Sequence, residues 1–170
     1  MTPQQARVIG DYLIADLQQE MTTTVRVIEA VPVGNLGYAP DAKSMTGLAL
    51  VRHLVIIDAW FLNSIADGAF APGSDQSDAC GIMTPADGAA KYKTLVGAAL
   101  ARVSAMSDEK LATDIDFFGM MMMPAVNVLG LMIKHSVHHR GQLSTYLRAM
   151  GGKVPGIYGP SGDSEQATAA

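Results

Sequence analysis

The chain has 170 residues and a mass of 17.9 kDa, enough for one domain with its own hydrophobic core. Its net charge is −4 with only 12 lysine and arginine residues, which excludes the basic surface that binding to DNA or RNA requires. Cys80 is the single cysteine, so no internal disulfide can form. The sequence opens without a secretory signal pattern, and no uninterrupted apolar run reaches membrane length. We therefore expect a cytoplasmic protein that contacts no membrane.

The first half of the chain predicts two amphipathic helices. The first runs from about Pro3 to about Ala30, with apolar side chains at helical spacing. The glycine- and proline-rich residues 31–44 form a long connection that could shape a pocket. The second helix begins near Ser44, a plausible N-cap, and ends at an Asp-Gly pair. His53 lies in its apolar stripe and is therefore surrounded by predicted core residues.

The second half predicts two further helices. Residues 69–83 have a loop composition, and the Thr-Pro pair at 84–85 then starts the third helix, which ends at residues 107–108. Residues 107–123 are expected to be extended or irregular. The fourth helix covers residues 124–150, opened by proline and stopped by two glycines.

These elements predict an all-α fold, a four-helix bundle, because no strand pattern is convincing. One domain is expected over residues 1–160, followed by a flexible C-terminal tail over residues 161–170, which is polar and rich in alanine. Metal and cofactor sites in bundles are built from inward side chains on facing helices. The positions of the histidines on the second and fourth helices therefore bear on function.

Three of the four histidines stand within five residues of the fourth helix. His135 and His139 are one turn apart and share a face, so one divalent ion can bridge them. His53 on a facing helix would complete a three-imidazole site, which suits zinc or nickel and leaves coordination positions open. His138 lies about 60° from His135 around the helix and could bind the ion only by replacing His139.

Other interpretations of these residues stay open. A histidine pair at helical spacing can also lie on the surface, form a hydrogen-bonded core pair or cap a helix. The same stripe continues to Gln142 and Tyr146, however, and buried polar groups favour a lined pocket over a dry core. Gln142 and Tyr146 are candidates for substrate binding, and hydrogen bonding within the bundle explains them equally well. Arg140 points away from this face and is expected to pair with an acidic residue of a neighbouring helix.

No general base is evident in the sequence. Ser136 occupies the position at which the glutamate of a helical HExxH motif would stand. Asp58 lies about 140° from His53 around the second helix, so we do not expect it to share the same ion. Asp114 or Asp116 could approach from a loop, either as solvated carboxylates or as outer partners of an imidazole.

Several motifs in and after the last helix carry a family resemblance: HSVHHRGQL at 135–143, Tyr146-Leu147, Gly151-Gly152 and Val154-Pro155. Together with the segment around His53 and residues 43–46, they resemble the DinB/YfiT-like superfamily of metalloenzymes, which is distinct from the polymerase that shares the name. The resemblance covers residues 1–160. It implies an up-down-down-up four-helix bundle, commonly a homodimer, that holds a divalent ion through His53, His135 and His139.

The superfamily that the sequence resembles also includes transferases and isomerases that depend on low-molecular-weight thiols. Our leading hypothesis is therefore a metal-dependent hydrolase or thiol transferase in which the ion activates water or a thiol for a small-molecule substrate. The alternative is a non-catalytic, stress-related bundle with a structural metal or a small-ligand binding role. Three ligands favour catalysis, because structural zinc sites are usually closed by four.

Overall fold

The computed structural model describes residues 1–73 and 76–164 and is mostly helical, as predicted. The helices are α1 (Pro3–Glu29), α2 (Gly47–Asp67), α3 (Pro85–Lys91), α4 (Gly97–Ser104), α5 (Asp108–Ala112) and α6 (Ala125–Ala149). A π-helical turn, Tyr92–Val96, joins α3 to α4, and short 3-10 turns cover Val33–Asn35 and Asp78–Cys80. Two strands, β1 (Asp114–Phe117) and β2 (Met121–Pro124), precede α6.

Helix α6 packs against both α1 and α2, and α2 also packs against α4 and the π turn. Fully buried leucines from three of these helices meet in the core: Leu17, Leu54, Leu62 and Leu129. Burial of each such side chain contributes about 1.5–3 kcal/mol of hydrophobic stabilisation. The packing therefore fixes α2 and α6 side by side, whereas the up-down-down-up order of the helices stays a prediction.

The helix starts follow capping chemistry. Thr2 forms a capping box with Gln5 at the start of α1, and Thr84 forms one at the start of α3, as the Thr-Pro pair predicted. The predicted N-cap of α2 was wrong. Thr46 accepts the hydrogen bond from the first turn, whereas the Ser44 hydroxyl donates to Asp41 in the preceding loop.

The region between the third and fourth predicted helices differs most from expectation. The third predicted helix ends at Ser104, and Ser107 caps the separate short helix α5. Residues 114–124 then form an antiparallel hairpin, although no strand was predicted. Each strand has only four residues. β1 alternates between exposed and buried positions but is too short for the pattern to stand out, and β2 is rich in exposed methionine and does not alternate.

The predicted C-terminal tail lies partly outside the described residues, which end at 164. Its first residues are held against the end of α6. The Asp163 carboxylate accepts hydrogen bonds from the Arg148 side chain and the Val154 backbone, and the Ser161 hydroxyl donates to the Val154 carbonyl. Residues 161–164 thus form a hydrogen-bonded turn, and the flexibility of the tail stays a prediction.

Helix α2 is long and apolar enough to cross a membrane by length and composition, with a mean hydropathy of 1.5. The sequence analysis expected no such segment. Within the protein, however, 56% of the apolar window is buried. A central helix must be apolar on several faces because it packs against neighbours on more than one side, and the core helix of a water-soluble protein meets the same criterion.

Candidate metal centre

Helices α2 and α6 bring His53, His135 and His139 together, as the sequence predicted. One ligand-capable atom from each lies within 4.8 Å of the others, and all three side chains are half-buried. The Nε2 atoms of His53 and His135 are 3.1 Å apart. Two imidazoles bound to one tetrahedral zinc, each at about 2.0–2.1 Å, would place their nitrogens about 3.3 Å apart, so the group fits a divalent ion.

The second nitrogen of two of these rings faces an amide oxygen. His53 Nδ1 lies 2.9 Å from Gln76 Oε1, and His139 Nδ1 lies 3.1 Å from Gln142 Oε1. An amide oxygen only accepts hydrogen bonds, so each Nδ1 carries the proton and donates it. In this tautomer the Nε2 atom of each ring has a lone pair, as a metal ligand requires, and that of His53 also lies within hydrogen-bond distance of His135 Nε2.

The third ring faces a buried carboxylate. His135 Nδ1 lies 3.7 Å from Asp58 Oδ1, and both atoms are buried without a hydrogen-bond partner. The other oxygen, Oδ2, accepts hydrogen bonds from the Tyr92 hydroxyl at 2.9 Å and the Ser136 hydroxyl at 2.6 Å. Two unsatisfied buried atoms facing each other are natural partners, and a small movement of the imidazole would join them.

Asp58 is not a member of the three-histidine group, as expected from its position about 140° from His53 on α2. An outer role for this carboxylate was not predicted from the sequence. Asp58 lies behind the ring of His135, which belongs to the facing helix α6. Outer carboxylates that orient a metal ligand occupy such a position. Asp114 and Asp116, which were considered for that role, are exposed in the hairpin, where Asp116 accepts a hydrogen bond from the Gly119 backbone.

Burial favours the neutral form of two of the rings, His139 and His53. It lowers the pKa of His139 to about 4, helped by the adjacent charge that a protonated His53 would carry. Burial also lowers the pKa of His53. Neutral imidazole is the form that binds a metal ion, so at pH 7 neither ring has to release a proton before it binds the ion. Burial beside Asp58 raises the pKa of Tyr92 well above its usual value, so its hydroxyl remains a donor.

Gln142 and Tyr146, the predicted substrate contacts, continue the polar stripe of α6. The Gln142 side-chain amide donates to the Tyr146 hydroxyl at 3.2 Å, while its oxygen faces His139. The Tyr38 ring, from the long connection between α1 and α2, packs edge-on against Tyr146 with centroids 5.5 Å apart. Both residues thus hydrogen-bond within the bundle, and their contact with substrate stays a prediction.

Two further expectations concern the neighbours of the ligands. His138 is exposed, and its ring touches that of His139 at 4.8 Å without joining the three-histidine group. Arg140 is buried and pairs with Glu20 of α1, as predicted, and also donates to the Tyr158 hydroxyl at 2.6 Å. Sequence reasoning missed Gln76 and Tyr92, because a residue in an irregular loop or a different helix leaves no local spacing signal.

A surface groove of about 560 Å³ lies away from this centre. It runs between α1 and α4, its floor is apolar, and it includes none of the three histidines. The convergence of ligand atoms, rather than the volume of a groove, therefore locates the candidate site.

A mostly helical fold with three imidazoles contributed by two facing helices defines a class of bundle proteins with a possible metal centre. The sequence matches the DinB family over residues 5–168. This chain belongs to the DinB family.

Relatives of known structure agree with this assignment. The DinB-like protein YjoA of Bacillus subtilis is 25% identical over 145 residues, which cover 84% of this chain and 91% of that protein. Its crystal structure superposes with a TM-score of 0.70, covering 88% of this chain and 98% of the other. A DinB-like protein from Bacillus cereus ATCC 10987 is 24% identical, with a TM-score of 0.72 and coverage of 86% and 95%.

A more distant fold neighbour is a mycothiol-dependent maleylpyruvate isomerase. It is 10% identical, with a TM-score of 0.58, and the match covers 84% of this chain and 61% of that one. At this identity the likeness is one of fold.

Proposed function

We propose that this protein binds one divalent ion, zinc or nickel, through His53, His135 and His139 and acts as a metal-dependent hydrolase or low-molecular-weight-thiol transferase. The observation that carries the proposal is the convergence of three half-buried imidazoles, each with its second nitrogen facing an oxygen. Outer oxygens of this kind fix ring orientation and raise ligand basicity at metal sites.

When bound, the ion would lower the pKa of a coordinated water or thiol and so supply a nucleophile at neutral pH. The residues of this chain would do the rest. His53 and His139 hold their neutral tautomer through amide partners, and Asp58 places a negative charge behind His135. Three protein ligands leave a position open for the reacting molecule.

We assign substrate contact to Gln142 and Tyr146, one and two turns beyond His139 on α6. A polar group of the substrate could replace the hydrogen bond between their side chains. The fold neighbour that depends on mycothiol is the reason to test thiols beside water as nucleophiles. We also propose a homodimer and the up-down-down-up connectivity, because the family resemblance implies both. We further propose a cytoplasmic location, since the single cysteine suits a reducing compartment.

The first test is metal content. Protein stripped by chelator, reconstituted with zinc or nickel and freed of excess ion is measured by elemental analysis as wild type, His135→Ala and His138→Ala. The wild type and the His138→Ala control should hold about one ion per chain, and His135→Ala should lose it. His138 is a matched control, because it is an exposed histidine on the same helix outside the group.

The metal-loaded wild type is then assayed for ester and amide hydrolysis and for thiol transfer, beside the stripped protein. Activity that returns with the ion supports the catalytic proposal. Absence of stoichiometric metal after reconstitution would contradict it. Complete unfolding on chelation, without activity in either form, would favour a structural ion, the non-catalytic alternative.

A further inference from the structure

Five aromatic residues form a connected cluster beside the metal centre. They come from the middle of α2, from the segment after it and from the end of β1, and their ring centroids lie between 5.1 and 6.1 Å apart in edge-on and stacked pairs. We call them the aromatic cluster: Trp60, Phe61, Phe70, Phe117 and Phe118. Aromatic pairs of this geometry contribute beyond the area they bury, so the cluster is a defined structural unit.

The inner end of the aromatic cluster touches a metal-ligand candidate. The Phe61 ring lies 5.4 Å from the His135 ring, centroid to centroid. The segment that contributes Phe70 also contributes Gln76, whose side chain holds His53. Phe61 is 6% exposed, so the aromatic cluster and the three-histidine group are packed against each other through this buried ring.

The outer end of the aromatic cluster is open to solvent. Phe118 is 51% exposed, and Met120 and Met122 of the adjoining hairpin are 67% and 62% exposed. The indole nitrogen of Trp60 donates to the Ala71 carbonyl at 3.1 Å, so its one polar atom is already satisfied. What remains for a ligand is apolar and polarisable, since thioethers adapt to the shape of what they contact.

The backbone holds one of these rings outward at a cost. Phe118 has φ +57°, the left-handed region, where a bulky side chain costs about 1–2 kcal/mol relative to glycine. Its ring stacks on Trp60 with an interplanar angle of 22° and centroids 5.8 Å apart. A glycine or asparagine would complete the same turn without strain. A strained backbone that presents an exposed aromatic ring is a feature typical of ligand sites.

We propose that the aromatic cluster binds the apolar body of the substrate, an aryl or alkyl group attached to the thiol or anionic oxygen that reaches the three-histidine centre. This inference rests on the proposed function and names its substrate class. Because Phe61 is buried, a ligand of this kind would lie over the half-buried rings of Trp60, Phe70 and Phe117 and reach His135 from there. The cluster has no charged member, so it would not select a small, fully hydrated thiol.

The test compares two thiols on the zinc-loaded full chain. One is 2-phenylethanethiol, and the other is 2-mercaptoethanol, which has the same reacting group without the ring. Trp60 is the only tryptophan, so its fluorescence reports on the cluster directly. Burying a phenyl ring is worth about 10- to 100-fold in affinity, and we expect 2-phenylethanethiol to bind at least about 10-fold more tightly.

The matched variants are Phe118→Asn and Tyr12→Asn. Asparagine tolerates the left-handed backbone of residue 118, so the first variant should fold. Tyr12 is an aromatic residue of α1, outside the aromatic cluster, and is 71% exposed. Phe118→Asn should reduce the preference for the phenyl thiol several-fold, and Tyr12→Asn should leave it unchanged.

Equal binding of the two thiols to zinc-loaded wild type would overturn the inference. An unchanged preference for the phenyl thiol in Phe118→Asn would also overturn the inference. If this variant in addition splits a dimer in sedimentation experiments, the surface is an interface between copies. If the protein takes up no zinc, the proposed function fails by itself. The dye 1-anilinonaphthalene-8-sulfonate then tests the apolar site alone. Dye binding that is lost in Phe118→Asn and kept in His139→Ala would still support an apolar ligand site. Dye binding that persists in Phe118→Asn would contradict the apolar ligand site as well.

Discussion

The imidazoles of the metal centre are supported in two different ways. Behind His135 stands a fully buried carboxylate, Asp58, which two buried hydroxyls already hold in place. Behind His53 and His139 stand the amides of Gln76 and Gln142, which are half-buried and reach water. Asp58 Oδ1 lies 3.7 Å from His135 Nδ1, too far for a hydrogen bond. A charged acceptor forms hydrogen bonds roughly twice as strong as a neutral one, so a small movement of the ring would create the stronger contact on this side. We therefore expect the buried side to fix the geometry of the centre once the ring has moved, and the amide side to adjust to the ion.

On the Asp58 side of the centre, stability and metal affinity therefore depend on the same residue. On the amide side they depend on different residues. Removing the buried carboxylate disturbs the core and the ligand at once. Removing an amide leaves the core intact, because water can take its place. The variants and the pH dependence described next test this contrast.

The largest effect is expected from Asp58→Ala. This change leaves the Tyr92 and Ser136 hydroxyls without their buried acceptor, at a cost of about 1–3 kcal/mol each in the free energy of unfolding. It also removes the outer partner of His135, which should weaken metal binding about 10- to 100-fold. Urea denaturation and competitive zinc titration measure the two losses.

Asp58→Asn is the control that separates them. Its side chain keeps the shape and an oxygen for the two hydroxyls, but it has no negative charge to place behind His135. We expect most of the stability to return while the zinc affinity stays about 10-fold or more below wild type. Full recovery of zinc affinity in this variant would show that Asp58 only fills space and hydrogen-bonds hydroxyls.

A smaller effect is expected from the amide side. Gln142→Ala removes the acceptor of His139 Nδ1, and water should replace it because the site is half-buried. Zinc affinity should fall by less than about 10-fold, with a change in unfolding free energy of less than about 0.5 kcal/mol. Gln76→Ala should behave alike at His53. A loss as large as that of Asp58→Asn would contradict the contrast between the two sides.

The metal-free protein should also show a pH dependence of its stability. The pKa of His139 is about 4 in the folded protein against an ordinary value of 6.5. The unfolded chain therefore binds a proton between these pH values while the folded chain does not, and stability falls as the pH drops through this range. Urea midpoints at pH 7.5 and 5.5, in chelator, should differ more for wild type than for His139→Gln. Equal losses would show that His139 does not contribute.

The three-histidine group could be predicted because its signals are local. His135 and His139 are four residues apart on one helix, and His53 interrupts an apolar stripe on another. Asp58 could not be predicted in the same way. Its angular distance from His53 describes α2 correctly, but its partner is on α6, and the spacing within one helix contains no information about which residues of another helix face it.

The same reasoning explains the errors in the fold. The long helices have enough periodic positions to outweigh any one residue, and their bounds were close. Helix α5 spans a single turn, and the β1–β2 hairpin depends on pairing between residues of no strong strand pattern. Gln76 reaches His53 from an irregular segment, so only the tertiary structure reveals it.

The π-helical turn at Tyr92–Val96 ties the centre to the exact number of residues in one helix. A π turn contains one more residue than an α-helical turn, and each residue corresponds to about 100° of rotation. Loss of a single residue here would let the turn relax to α-helix and rotate one side of it by about 100° relative to the other. The Tyr92 hydroxyl would then move away from Asp58, and the buried side chains of Tyr92 and Val96 could not both keep their places in the core.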